Sequence, residues 1–280
     1  MKIIIYDHND AIGSVLAKQF EDNGHDVSVI EFDYISEIDV NAFPDNVDVC
    51  YYLAWNSESR QNIEAQLANV TDVASVMVQA VLHGCKKFIG LGSWEEYGSL
   101  SGTVSEQSVP APNTPYGIAK YAAGMYCISE SEKADMECVW ARVFDCYGPH
   151  SKGVISCLIK AALVGIQSHM PNGEQMWNCL YESDVTKILY YLGVKSVAPG
   201  IYNVADDKPR KLSEYVDLTI KALRRDGFNA LEPEFDDMSK RPVNMNTNAK
   251  RVYAATGYKP EMSFIRGVHE TIGKISERKD

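Results

Sequence analysis

Short apolar runs alternate with segments of helical periodicity throughout residues 1–150, and this alternation constrains the fold more than any other feature. Near-continuous apolar runs are typical of parallel strands that are covered on both faces. Apolar residues recur at helical spacing from Ile63 to Val81, which predicts one long helix between two such runs. The pattern predicts an α/β fold in which βαβ units build a doubly wound parallel sheet. The predicted strands are Lys2–Tyr6, Asp26–Glu31, Asp48–Leu53, Lys87–Leu91 and Cys138–Val143.

The pattern loosens after Gly148-Pro149, where helices are predicted with only one further strand. We assign residues 1–150 to a sheet domain and residues 151–280 mainly to a smaller C-terminal lobe, with segments such as 178–204 returning to the sheet. Ligands of open α/β sheets bind outside the carboxyl ends of the strands, so we expect the lobe to bind substrate there. The predicted elements are helices at Gly153–Val164, Ser183–Leu192, Leu212–Arg225 and Phe264–Ser276, and a strand at Gly200–Val204.

Charge and cysteine usage exclude several classes of function. The formal net charge of −11 disfavours nucleic acid or an anionic membrane as the main partner, since both recruit basic patches. No apolar run approaches about 18 residues, and the N-terminus lacks the pattern of a signal peptide. The seven cysteines include no CxxC and no cluster with histidine, so we expect no metal site. We expect a cytoplasmic protein whose thiols are reduced, buried and structural.

One helix carries the residues with the clearest chemistry. Tyr116 and Lys120 are separated by four positions, so they share a face of a helix that we expect to begin near Pro115. An ammonium group beside a phenol favours the phenolate, which lets the tyrosine move a proton at a substrate hydroxyl. Ser93 ends a predicted strand beside this helix and is placed to orient the same oxygen. Tyr191 and Lys195 have the same spacing, but without a partner serine we interpret them as structural.

The order of these motifs resembles the extended short-chain dehydrogenase/reductase family, the group of nucleotide-sugar epimerases, dehydratases and ketoreductases. The resemblance covers nearly the whole length, and it implies a Rossmann-type fold and an NAD-dependent enzyme. The motifs that carry it are DVCYYLAW, Asn69 in the long helix, GSWEEYG, PYGIAK, ARVFDCYGP, LYESDV, IYNVAD and TGYKP.

The resemblance implies specific roles in catalysis and in cofactor binding. Ser93, Tyr116 and Lys120 match the catalytic triad, and Asn69 matches the residue that supports the proton relay. Glu31 matches the acidic residue that binds the adenosine ribose, which favours NAD over NADP because a carboxylate repels a 2′-phosphate. Alongside Lys120, the cofactor-binding positions are Ile12, Gly13, Glu31, Leu53 and Ala54.

The glycine-rich turn departs from the family pattern Gly-x-x-Gly-x-x-Gly. Only Gly13 is retained, and Asp7 and Asp10 replace the other two glycines. A carboxylate facing a pyrophosphate at about 4–6 Å is unfavourable by order 3–4 kcal/mol before relaxation. Two outcomes are consistent with this change: a rearranged loop that binds the dinucleotide weakly, or a site that has lost it.

Four residues are predicted to bind substrate: Glu95, Asp145, Trp177 and Arg241. Glu95 occupies the position of the catalytic glutamate of dehydratases, but Trp94 precedes it instead of the usual small or acidic residue. Trp177-Asn178 replaces the Arg-Asp of the family, and an aromatic residue there is closer to the ketoreductase branch. Arg241 matches an arginine that contacts the substrate diphosphate.

These features favour an NAD-dependent oxidoreductase or epimerase that acts on a nucleotide-activated hexose, by 4-keto reduction or 4-epimerisation. A nucleotide-sugar 4,6-dehydratase is a lesser alternative. A rival from another class is a non-catalytic binding or regulatory protein on the same scaffold, because Asp7 and Asp10 impair dinucleotide binding. By resemblance we also expect a homodimer formed through the helices around 62–83 and 115–133. The nucleotide and the sugar stay open.

Overall fold

The computed structural model describes residues 1–8, 11–32, 37–57, 59–99, 101–170, 172–235 and 244–277. The strands are β1 (Lys2–Asp7), β2 (Asp26–Glu31), β3 (Val49–Tyr52), β4 (Lys87–Ser93), β5 (Glu137–Val143), β6 (Asp145–Tyr147), β7 (His169–Met170), β8 (Met176–Trp177), β9 (Cys179–Tyr181), β10 (Gly200–Val204), β11 (Arg210–Lys211) and β12 (Glu234–Phe235). The helices are α1 (Ala11–Asp22), α2 (Ile63–Leu82), α3 (Pro115–Lys133), α4 (Val154–Ala162), α5 (Glu182–Val194), α6 (Leu212–Arg225), α7 (Lys250–Thr256) and α8 (Phe264–Glu277).

Six strands form one parallel sheet in the order β10-β5-β4-β3-β1-β2. The chain leaves β1 toward β2 on one side and returns to β3 on the other, so the strand order reverses between β1 and β3. Such a reversal opens a crevice at the carboxyl ends of the two strands, which is where open α/β sheets bind ligands. The predicted doubly wound parallel sheet is confirmed.

Both faces of this sheet are buried, which explains the uninterrupted apolar runs. Successive side chains of a strand point to opposite faces. Ile3 and Ile5 pack on the face covered by α1 and α5, whereas Ile4 and Tyr6 pack on the face covered by α2 and α3. One strand therefore contributes to two separate hydrophobic clusters.

Helix α2 is long and apolar enough to cross a membrane by length and composition alone. In the structure it packs against α3, and Val73, Val76 and Met77 are buried against the sheet. Its buried polar side chains Gln66 and Asn69 hydrogen-bond the loop that follows β3. The helix is therefore an integral layer of the sheet domain.

A third hydrophobic cluster lies beside the sheet and is built mainly by α4, α6 and α8. Three short strand pairs edge this part of the chain: β6 with β9, β8 with β11, and β7 with β12. Strand β10 and helix α5 pack with the sheet domain, so the chain returns to the sheet after the first lobe segment. The domain division at residue 150 stays a prediction.

The cysteines lie mostly in the core. Cys50, Cys85, Cys127, Cys138 and Cys179 are buried free thiols. The expectation of buried thiols does not extend to all seven, because Cys146 is half-buried and Cys157 is exposed on α4.

Candidate active site

Ser93 is the last residue of β4 and lies at the carboxyl edge of the sheet. It is also the N-cap of a short 3₁₀ turn, where its hydroxyl oxygen accepts a hydrogen bond from the Glu95 backbone nitrogen at 3.2 Å. Glu96 completes a capping box, because its carboxylate accepts from the Ser93 backbone nitrogen at 2.8 Å. The turn fixes the serine and leaves its O–H free to donate.

Glu96 is fully buried and anchors this turn to β5. Its carboxylate accepts from Trp140 Nε1 at 2.9 Å and from Arg142 Nε at 2.7 Å. A buried ion pair has little tolerance for loss of one partner, since the other charge is then uncompensated. Glu96 was not predicted from the sequence, although the spacing Ser93-x-x-Glu96 is that of a capping box and was a usable signal.

Tyr116 lies in the first turn of α3, directly above this serine. Thr114 is the N-cap of the helix and accepts from the Gly117 backbone nitrogen at 3.0 Å. Gly117 is required for the approach, because a Cβ at this position would lie 2.5 Å from the Glu95 carbonyl oxygen. The Ser93 side chain hydrogen-bonds the Tyr116 phenol and, by favouring the phenolate, lowers the pKa of that phenol.

Lys120 lies one turn further along α3 and is only 2% exposed. Its Nζ donates to the Leu91 carbonyl oxygen at 2.6 Å and lies 3.8 Å from the centre of a Trp55 ring. The same nitrogen is 5.8 Å from the centre of the Tyr116 ring. Burial lowers the pKa of Lys120 to about 7, with Glu96 opposing that shift.

The electrostatics of Tyr116 differ from the sequence-based expectation. The spacing predicts that Lys120 lowers the pKa of the phenol, but burial is the dominant influence and raises the pKa of Tyr116. The cation that most strongly opposes burial is Arg60, whose guanidinium carbon lies 3.7 Å from the centre of the Tyr116 ring. Lys120 is directed toward Leu91 and Trp55 instead.

Glu95 is held by two partners at the mouth of the site. Its carboxylate forms an ion pair with Arg60 and accepts a hydrogen bond from Thr114 Oγ1 at 2.9 Å. Arg60 precedes α2, so this ion pair joins the approach to α2 with the start of α3. Neither Arg60 nor Trp55 has a local sequence signal, because both reach the site from a loop that is distant in sequence.

Asn69 is placed apart from the Ser93, Tyr116 and Lys120 group. Its amide accepts from the Asn56 backbone nitrogen at 2.9 Å and donates to the Asn56 carbonyl oxygen at 3.1 Å. It lines a separate cavity of about 90 Å³ with Ala54 and Trp55. Asn69 thus fixes the loop that carries Trp55, and its part in a proton relay stays a prediction.

A cleft of about 420 Å³ opens above the carboxyl ends of the strands, between the sheet and the lobe. Its walls include cationic or titratable groups that the sequence did not single out, among them Arg60, His150 and Lys152. Seven of the predicted site residues line it: Ile12, Ser93, Glu95, Tyr116, Lys120, Asp145 and Trp177. The predicted catalytic and substrate-binding residues therefore largely share one cavity.

Asp145 and Trp177 form a polar contact on the lobe side of the cleft. The Trp177 Nε1 donates to the Asp145 carboxylate at 2.8 Å, and the Val154 backbone nitrogen at the start of α4 donates at 3.3 Å. Burial raises the pKa of Asp145 to about 6, against these hydrogen bonds. Gly153 is required here, since a Cβ would lie 2.5 Å from the Asp145 carboxylate oxygen.

The cofactor-binding candidates cluster at the ends of β1, β2 and β3. Leu53 and Ala54 follow β3, and both backbone nitrogens donate to the Tyr6 carbonyl oxygen. Glu31 ends β2 with an exposed side chain and is in register with Asp7. These positions suit an adenosine group at the crevice between β1 and β3.

Asp7 packs beneath the N-terminus of α1 and is 1% exposed. A Cβ at Gly13 would lie 2.2 Å from the Asp7 carboxylate oxygen, so only glycine is accommodated at position 13. The residues fit a dinucleotide at Gly13, Glu31 and Lys120, whereas the Asp7 charge opposes a pyrophosphate beside this helix end. Asp10 and Arg241 lie outside the described residues.

The second Tyr-xxx-Lys pair has different surroundings. The Lys195 ammonium lies 4.9 Å from the centre of the Tyr191 ring and hydrogen-bonds the Thr256 carbonyl oxygen. Tyr191 packs between Tyr190 and Tyr258. This pair joins α5 to α7 and lies away from the cleft, which supports its interpretation as structural.

Comparison with known proteins agrees with this geometry. The chain is 25% identical over 206 residues to GDP-6-deoxy-D-mannose reductase of Pseudomonas aeruginosa, covering 68% of this chain and 66% of that one. It is 24% identical over 242 residues to dTDP-6-deoxy-L-talose 4-dehydrogenase (NAD(+)) of Aggregatibacter actinomycetemcomitans, covering 78% and 88%.

Solved structures show the same fold. UDP-glucose 4-epimerase from Thermotoga maritima with UDP-glucose superposes with a TM-score of 0.88 at 19% identity, covering 100% of both chains. MoeE5 in complex with UDP-glucuronic acid and NAD gives 0.86 at 21% identity, again covering 100% of both chains. The sequence model of the NAD dependent epimerase/dehydratase family matches residues 8–205. The chain belongs to this NAD dependent epimerase/dehydratase family and is an enzyme of it.

Proposed function

We propose that this enzyme transfers a hydride between NAD and a ring carbon of a nucleotide-activated hexose, by 4-keto reduction or 4-epimerisation. The observation that carries the proposal is the convergence of Ser93, Tyr116 and Lys120 in a cleft that also contains Asp145 and Trp177. Relatives named as a reductase and a 4-dehydrogenase of 6-deoxy sugar nucleotides support the reaction class.

Tyr116 is the proton carrier in this proposal. The bound dinucleotide supplies the hydride donor or acceptor. Tyr116 gives a proton to the sugar oxygen or takes one from it, and Ser93 hydrogen-bonds the same oxygen. Because burial raises the pKa of Tyr116, the phenol is protonated at neutral pH, which is the form that keto reduction requires. Lys120 would hold the nicotinamide ribose, the role that the family resemblance implies, and its ammonium lies over a Trp55 ring.

NAD is the proposed cofactor in preference to NADP. The exposed Glu31 carboxylate at the end of β2 disfavours a 2′-phosphate. Proteins of the same fold are named with either cofactor, NAD for MoeE5 and NADPH for RMD from Pseudomonas aeruginosa. The proposed preference for NAD over NADP therefore rests on Glu31.

The structure disfavours the dehydratase alternative. A dehydratase needs a glutamate that exchanges protons with substrate, but the Glu95 carboxylate is occupied by Arg60 and Thr114. A dTDP-glucose 4,6-dehydratase of Streptomyces niveus is nevertheless a relative at 21% identity. The rival non-catalytic function, which the sequence motivated through Asp7 and Asp10, is not proposed, because the chain belongs to a family of enzymes.

Association and location are parts of the proposal as well. Helices α2 and α3 pack together and expose Ile63, Leu67, Leu82, Ile118 and Met125 to solvent. A second copy of the chain would cover these apolar side chains, so we propose a homodimer through this face. We propose a cytoplasmic location from the reduced cysteines and the acidic composition.

Thermal melting with a panel of ligands tests the substrate class. A ligand that binds only the folded state raises the melting temperature, by an amount that increases with concentration over Kd. We expect UDP-, dTDP- or GDP-hexoses to raise it in the presence of NAD, with one nucleotide preferred. The corresponding nucleoside monophosphates and free hexoses are the controls. No shift with any nucleotide sugar at millimolar concentration would contradict the proposal.

A further inference from the structure

Arg60 lies against the catalytic tyrosine in a way that neither the family pattern nor the Tyr-xxx-Lys spacing predicts. Its guanidinium carbon is 3.7 Å from the centre of the Tyr116 ring, so the cation lies over the phenol face. Lys120 is further away, at 5.8 Å from the same ring centre, and donates to Leu91. Among the residues that the structure describes, Arg60 therefore lies nearer the phenol ring than Lys120 does.

A series of two side-chain contacts holds Arg60 in this position. Its guanidinium forms an ion pair with Glu95, and Glu95 accepts from Thr114, the N-cap of the helix that bears Tyr116. The Arg60 side chain is 42% exposed and that of Glu95 is 15% exposed. These two contacts hold the Arg60 guanidinium beside Tyr116, and Arg60 also lines the cleft.

We propose that Arg60 is a positioning residue for Tyr116, and that its guanidinium is the positive charge that stabilises the phenolate in this enzyme. The catalytic consequence rests on the proposed function, whereas the effect on the phenol does not. Deprotonation of Tyr116 releases one proton and places one negative charge beside Arg60. The positive charge of Arg60 is already in place, so no group has to move when the phenolate forms.

The other charged groups around Tyr116 define the signs of the expected effects. Glu95 and Glu96 raise the pKa of the phenol, and Ser93 lowers it by hydrogen bonding. Lys120 has a pKa lowered by burial to about 7, so near neutral pH it carries only part of a charge. A guanidinium, by contrast, does not deprotonate in proteins.

The test replaces Tyr116 with 3,5-difluorotyrosine, whose phenol titrates near neutral pH, and follows its fluorine resonance against pH. The signal comes from position 116 alone and needs no substrate or cofactor. We expect Arg60→Met to raise the apparent pKa of this phenol by about 1, and Arg60→Lys to recover most of that difference.

A matched control is provided by Arg251, which lies 4.5 Å from the Tyr202 ring centre and is remote from the cleft. Arg251→Met should leave the fluorine titration unchanged. An unchanged or lowered pKa in Arg60→Met would overturn the proposal, and Arg60→Gln gives the same test if Arg60→Met does not fold. Absence of turnover with a normal titration would count against the proposed function alone.

Discussion

Burial favours the neutral form of both Tyr116 and Lys120, the two residues of the predicted catalytic pair on α3. It raises the pKa of Tyr116 and lowers that of Lys120 to about 7. The spacing in the sequence correctly indicated that the two residues share a helix face. It could not indicate that Trp55 and the Leu91 carbonyl take up the ammonium group, since those contacts come from other parts of the chain.

The shifted pKa of Lys120 predicts a pH dependence of stability. A lysine in the unfolded chain has a pKa of about 10.4. Between about pH 7 and pH 10 the unfolded chain therefore binds more protons than the folded one. The free energy of unfolding contributed by Lys120 should therefore rise with pH across this window, by about 1 kcal/mol per pH unit. Below about pH 7 the ammonium is charged in both states, so the free energy of unfolding no longer changes with pH through Lys120.

Urea denaturation of the wild type and of Lys120→Met at pH 7, 8 and 9 measures this effect. The difference in free energy of unfolding, wild type minus variant, should become more favourable to the wild type as the pH rises. Lys18→Met is the control, because its side chain is 76% exposed on α1. A difference that stays constant with pH would show that Lys120 keeps an ordinary pKa in the folded protein.

Elements were predicted better than the contacts between them. The apolar runs located the strands of the sheet to within two residues, and α3 begins at Pro115, where the sequence predicted its start. The residues that anchor the turn after β4 were missed, because Trp140 and Arg142 reach Glu96 only once β4 and β5 are paired. A local pattern carries no record of such long-range partners.

Helix α1 gives a prediction of its own, because its N-terminus packs on a carboxylate. The positive end of the helix dipole attracts a phosphate, and the buried Asp7 competes with that attraction. Asp7→Asn keeps the shape of the side chain and removes its charge. We expect the variant to bind NAD about tenfold more tightly by calorimetry, the equivalent of roughly 1.4 kcal/mol.

Asp22→Asn is the control for this measurement, since Asp22 lies at the opposite end of the same helix and is exposed. ADP-ribose should respond to Asp7→Asn as NAD does, because both carry the pyrophosphate. Equal affinities of wild type and Asp7→Asn for both ligands would show that the phosphates do not approach this helix end.

At the scale of the whole molecule, the sequence predicted the parallel sheet, and most of the predicted catalytic and substrate-binding residues line one cleft. Ser93, Tyr116, Lys120, Asp145 and Trp177 come from distant segments and line the same cavity. Parallel strands bring their carboxyl ends to one edge of the sheet, so residues that follow these strands are expected to lie close together. The positions of Arg60 and Trp55 beside Tyr116 could not be predicted in this way. They follow from the packing of the loop before α2.

The most direct test of the central claim is hydride transfer in single turnover, followed by the near-ultraviolet absorbance of reduced nicotinamide. The enzyme is mixed with reduced dinucleotide and a 4-keto nucleotide sugar, or with NAD and the nucleotide sugar that most raises the melting temperature. Tyr116→Phe should slow the transfer by at least about 100-fold while its affinity for the dinucleotide stays within about threefold. Tyr191→Phe, which alters the other Tyr-xxx-Lys pair, should match the wild type. Transfer by Tyr116→Phe at the wild-type rate would contradict the account.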